Sequence, residues 1–219
     1  NNIMAATAWM ANQFPDLDRM LVTGCSAGGA GAIINYHFFR QGIAAKRNYL
    51  LDDSGPIFPS FGHSGPLHDK IRVSWDVDSV LELLPPGYEI TDDFGVLNTH
   101  LADLYAEDRL STVFFQRDYN YSRYSYERFY PDMTKEKTLE YWAEDTDLLV
   151  DLYDPYPNLA YFLPYWRSLN DSHCVSIVTY IDTDIAEQGV DFGSFVVDLL
   201  DDDKPLVSYR ESVQPGEDD

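Results

Sequence analysis

Residues 19–31 read Arg-Met-Leu-Val-Thr-Gly-Cys-Ser-Ala-Gly-Gly-Ala-Gly. The first five form a short, continuous apolar run of the kind buried on both faces of a parallel sheet. The glycine-rich turn that follows passes into an apolar helix expected from Ala27 to Gln41, with Gly42 as its C-cap. A second apolar strand, Asn48–Asp52, comes next. Strand, tight turn, helix and strand compose one βαβ unit, and that unit fixes the fold class.

The rest of the chain extends the same pattern. Upstream, Ile3, Ala6, Met10 and Phe14 recur near a 3.6-residue period and mark a helix broken by Pro15. Downstream, the strands Thr112–Gln116 and Leu159–Tyr165 alternate with helices expected near Asp78–Leu84, Leu97–Tyr105, Lys135–Tyr153 and Phe192–Leu200. Residues 56–73 and the Tyr-rich stretch 119–130 read as loops. The expectation is an α/β fold: one domain over residues 1–219, a mostly parallel sheet flanked by helices, and a flexible acidic tail at 213–219.

Composition removes several functions. The chain carries 37 acidic against 15 basic residues, a formal net charge of −22, so it lacks the positive footprint that nucleic-acid binding requires. Its lysines and arginines are scattered, without a polybasic run for an anionic membrane. No apolar stretch approaches the ~20 residues of a spanning helix. Hydrophobic residues make up 45% of the chain, enough for a packed core. Cys25 and Cys174 are too few for a disulfide framework or a cysteine-rich zinc site. One bridge between them is geometrically conceivable; two small buried hydrophobes are the alternative.

Gly24-Cys25-Ser26-Ala27-Gly28 matches the pattern G-x-S-x-G, between the strand and helix that the pattern needs. A serine on so tight a turn stands above the carboxyl edge of the sheet. Gly24 and Gly28, two positions either side, let chain segments approach. The start of the following helix offers free N–H groups to a developing oxyanion, the amide of Ala27 among them. A phosphate loop is excluded, because no Gly-Lys-Ser/Thr follows and the spacing does not give G-x-G-x-x-G. A serine nucleophile needs a base and a group to orient that base. In this architecture acid and histidine follow in that order, on loops at the carboxyl ends of strands. The loop after Thr112–Gln116 supplies Asp118, and the loop after Leu159–Tyr165 supplies His173. Asp53, ending the second strand, is the alternative acid. His37, His63, His68 and His100 all precede Asp118; His63 and His68 read as pocket lining and His100 as helix surface. Tyr119, Tyr121, Tyr124, Tyr126 and Tyr130 read as a partly buried lid or loop layer, with a recognition surface as the alternative.

With these residues placed, the chain resembles the pectin acetylesterase family, which includes plant pectin acetylesterases and Notum-like carboxylesterases. The resemblance is carried by Gly24-Cys25-Ser26-Ala27-Gly28-Gly29, by Phe114-Phe115-Gln116-Arg117-Asp118, by His173-Cys174 and by the helix from Ala5 through Phe14-Pro15, over roughly residues 1–175. It implies an α/β-hydrolase-like fold and a secreted or periplasmic serine esterase with a Ser26–Asp118–His173 triad, needing no metal or cofactor. The expected substrate is a carbohydrate or small-molecule ester, of O-acetyl or another short acyl group. Members of that family carry further strands and an oxyanion loop ahead of the helix at which this sequence opens. The resemblance therefore implies that an upstream segment or a second chain completes the fold. The charge of −22 disfavours polyanionic pectin itself unless salt screens the repulsion. A non-catalytic binding module on the same scaffold and a secreted polyester depolymerase or lipase are the competing expectations.

Overall fold

The computed structural model describes residues 2–85, 90 and 92–213. In chain order it contains α1 (Asn2–Gln13), β1 (Leu17–Cys25), α2 (Ala27–Gly42), β2 (Ala45–Asp53), α3 (Gly65–Trp75), α4 (Val77–Leu81), α5 (Leu97–Leu104), β3 (Arg109–Val113), α6 (Tyr119–Tyr126), α7 (Lys135–Tyr153), β4 (Leu159–Leu163), α8 (Phe192–Leu199) and β5 (Tyr209–Arg210). The five described strands form one sheet in the order β1-β2-β3-β4-β5, and every neighbouring pair is parallel. The register pairs Gly24 with Asp52 and Cys25 with Asp53, so the ends of β1 and β2 are level. All the carboxyl ends therefore meet along one rim.

Successive residues on a strand face opposite sides, and the core divides accordingly. Leu50, Leu110 and Phe114 join Ile33, Leu101 and Trp142 beneath α2, α5 and α7. Leu51, Val113 and Phe162 turn the other way, onto Phe192, Phe195 and Leu199 of α8. Helices thus cover both faces, as a parallel sheet requires. No helix among the described residues is long and apolar enough to cross a membrane.

Several local expectations are corrected. Residues 65–75 are the helix α3, started by Ser64 with Pro66 in its first turn, where the missing N–H costs nothing. Residues 119–126 are the helix α6. The strands β3 and β4 end earlier than expected, yet backbone pairing continues past them, from Gln116 N–H to Pro164 O (2.9 Å) and Arg117 N–H to Tyr165 O (3.1 Å). Gly42 is the last residue of α2 and not its cap; a Cβ there would lie 2.3 Å from Thr7 Cγ2, so the glycine serves the packing of α1 on α2. The two-residue strand β5 has no counterpart in the sequence reading. Of the expected acidic tail, residues 214–219 lie outside the described residues.

Candidate active site

Ser26 stands between β1 and α2 with φ 60° and ψ −126°, a backbone conformation that side chains rarely adopt. The turn is fastened from both sides. Ser26 N–H donates to Asp53 O at 2.7 Å, and Ser26 O accepts from the amides of Gly29 (2.8 Å) and Ala30 (3.2 Å). The two flanking glycines are not equivalent. A Cβ on Gly24 would lie 2.2 Å from Gly28 O, whereas a Cβ on Gly28 would meet nothing within 4 Å. Closeness at the turn depends on Gly24. Ala27 opens α2, so no helical carbonyl precedes its amide, and it lies exposed beside the half-buried serine.

Asp118 and His173 meet. His173 Nδ1 lies 2.7 Å from Asp118 Oδ2, with both side chains buried. The other carboxylate oxygen caps α6, accepting from Tyr121 N–H at 2.8 Å. Burial pushes the Asp118 carboxyl above its ordinary value, while the bonds from His173 and from the amides of Tyr121 and Asn120 act against that rise. The ring of Tyr121 is stacked on the imidazole, centroids 6.2 Å apart at 30°. With Nδ1 committed to the carboxylate, Nε2 is the ring nitrogen left for proton transfer.

A disulfide joins Cys25 to Cys174, with Cα atoms 6.0 Å apart, which answers the question left open by the sequence. It ties the residue before Ser26 to the residue after His173. A ring nitrogen of His173 lies within 4.8 Å of both sulfurs. Those three residues have the spacing of a metal site, but the sulfurs are bonded to each other and are not thiolate ligands. Among the described residues no hydrogen bond joins the Ser26 hydroxyl to His173; contacts of this kind are commonly loose before substrate arrives.

Asp53, the alternative acid, bonds elsewhere. It does not bond to the imidazole: Oδ1 accepts from Val175 N–H (2.8 Å) and Ser54 Oγ (3.0 Å), and Oδ2 from Ser176 N–H (2.9 Å). Its neighbour Asp52 is wholly buried beneath the turn, accepting from Gly55 N–H at 3.1 Å. Burial, with Asp53 alongside, drives the Asp52 carboxyl well above the ordinary range.

Each remaining histidine has another role. His63 stacks flat on Tyr141 (3.7 Å) and lies against Glu144, and His37 bonds to Tyr105 OH at 2.7 Å. His100 is buried rather than on a helix surface. His68 does line a cavity, with Ala30, Phe58 and Tyr121, but the space is about 10 Å³, room for one water. Tyr121 and Tyr126 are buried and Tyr124 is exposed, so the tyrosines form a packed layer and not a continuous surface. The sequence reading missed Ser54, whose partner Cys174 N–H is 120 residues away, and Arg167, which grips carbonyls in an irregular loop with no periodic signal; it placed Tyr121 in the tyrosine layer but not against His173.

No family model, curated protein or solved structure matches the chain.

Proposed function

We propose that the chain is a serine carboxylester hydrolase of α/β-hydrolase type, exported to an oxidising compartment. One observation carries this reading: the Asp118–His173 pair is fastened by the Cys25–Cys174 bridge to the turn that presents Ser26. In this reading His173 Nε2 takes the Ser26 proton as the hydroxyl oxygen attacks the ester carbonyl. Asp118 holds the ring by Nδ1–H and stabilises its charged form. The Ala27 amide and the start of α2 face the oxyanion. The alcohol departs with the proton returned by His173, and water then cleaves the acyl-enzyme with the same imidazole as base. The motif residues resemble those of the pectin acetylesterase family, which favours an O-acetyl or other short-acyl ester, carbohydrate or small molecule, as substrate.

A fluorophosphonate probe and p-nitrophenyl acetate test the reading together. Labelling and turnover are expected for the intact protein and their loss for Ser26→Ala. Labelling that survives Ser26→Ala, or a folded wild-type chain that neither labels nor turns over ester, refutes it.

A further inference from the structure

The segment that carries His173 has almost no regular structure, yet it must hold an imidazole in register. Between Asn170 and Asp182 six non-glycine residues, Asn170, Asp171, Ser172, Cys174, Val178 and Asp182, have positive φ. Asn and Asp tolerate such backbone, but Ser172, Cys174 and the β-branched Val178 do so rarely, so something outside the segment must impose this path.

Two buried side chains of opposite charge do so. Asp53, at the end of β2, and Arg167, after β4, are each 1% exposed. Asp53 takes amides: Val175 N–H on Oδ1 (2.8 Å), Ser176 N–H (2.9 Å) and the Ser176 hydroxyl (2.5 Å) on Oδ2. Arg167 takes carbonyls: those of Cys174, of Val175 (3.5 Å) and of Thr179 (3.1 Å). The peptide unit between Cys174 and Val175 therefore has its C=O on the guanidinium and its N–H on the carboxylate, and so has the next unit, between Val175 and Ser176. The unit before them is held by Ser54, whose hydroxyl accepts Cys174 N–H (3.1 Å) and donates to Asp53 (3.0 Å). Ser172 Oγ bonds to both the N–H and the C=O of Arg167, at 2.9 and 2.7 Å. Phe115 lies under the guanidinium, 4.9 Å from its ring centre.

We propose that Asp53 and Arg167 are positioning residues for His173, gripping the two peptide units after it from opposite ends and thereby aiming its ring at Ser26. This inference rests on the hydrolase reading for its consequence, but its geometric content stands apart. The charges matter because a charged donor or acceptor makes a shorter and stronger bond than a neutral one. Methionine at 167 offers these carbonyls no donor, and asparagine at 53 keeps one neutral acceptor oxygen where the carboxylate supplies two. The bridge at Cys174 limits how far the segment can travel; Asp53 and Arg167 fix how it is turned.

The test uses Arg167→Met, Arg167→Lys and Asp53→Asn in the oxidised protein, with Leu149→Ala, a core change in α7, as a stability-matched control. The far-downfield proton resonance of His173 Nδ1–H reports the ring's hold on Asp118 whether or not the protein turns over ester. That resonance is expected to weaken or exchange-broaden in Arg167→Met and Asp53→Asn, to be partly restored in Arg167→Lys, and to persist in the control. On ester substrate, kcat should fall about 10- to 100-fold in the first two variants with KM little changed. Where a variant fails to fold, hydrogen exchange in the wild type decides: the amides of Val175 and Ser176 should exchange as slowly as those of β2. Resonance and kcat unchanged in folded variants, losses no larger than in the control, or rapid exchange at Val175 and Ser176 would overturn the proposal. A wild-type protein without esterase activity whose imidazole resonance still responds as stated supports the positioning role and removes only the hydrolase reading.

Discussion

The carboxylate of Asp118 serves two partners at once, His173 Nδ1 through Oδ2 at 2.7 Å and Tyr121 N–H through the other oxygen at 2.8 Å. One side chain thus starts α6 and orients the imidazole, and Tyr121, the residue whose amide it caps, stacks on that same ring. The two duties can be separated. Asp118→Asn keeps an acceptor for the cap but offers an N–H to Nδ1, which forces the wrong tautomer. Turnover should fall by about 10³- to 10⁴-fold with little change in melting temperature. Asp118→Ala should lose the same activity and, in addition, about 1 kcal/mol of stability with the cap. Steady-state kinetics and thermal melts on both variants make the comparison.

The bridge spans 149 residues, so its loss enlarges the unfolded ensemble greatly, and Cys25→Ser with Cys174→Ser should cost on the order of 5 kcal/mol. Activity should decline before global unfolding, because the tether joins neighbours of Ser26 and His173. Titration of the oxidised protein with a dithiol, followed by turnover and by circular dichroism, is expected to show the activity transition first.

At the turn, Gly24→Ala drives a methyl into Gly28 O and should leave little folded protein, whereas Gly28→Ala meets open space inside a helix and should be neutral or slightly stabilising. Soluble yield and melting temperature read the difference directly.

Burial lowers the His68 imidazole from 6.5 to about 4. Below pH 6.5 the unfolded chain therefore binds a proton that the native state refuses until about pH 4. Stability attributable to this residue is complete above the upper value and falls across that window, by up to about 3 kcal/mol. His68→Leu should flatten this part of the profile, so urea midpoints of variant and wild type should converge or cross between pH 7 and pH 4.5.

Legibility in the sequence followed the range of the physics. The β1–α2 turn was readable because its glycines, serine and apolar flanks are contiguous. Asp118 and His173 are reachable because a parallel sheet delivers strand ends to one rim in chain order, although β3 lies three residues earlier than its apolar run suggests and β4 ends two residues sooner. The helix α6 was hidden by its four tyrosines, which lower helix propensity and read as a polar loop. The Asp118 cap was its one local signal. The helix α3 was hidden by Gly65 and Pro66, although serine followed by proline at the first turn is a start signal. Asp53 looked like a catalytic candidate because its position at a strand end is correct; its partners, the amides of Val175 and Ser176, lie more than 120 residues away, beyond what spacing reveals.

The left-handed backbone at Ser26 has a consequence for how the chain would respond to relaxed selection. Glycine occupies φ 60° and ψ −126° without the Cβ penalty, so Ser26→Gly should melt at a higher temperature than the parent while losing all turnover. Durability and chemistry pull in opposite directions at this one position, and a lineage kept only for its fold would be expected to drift to glycine there.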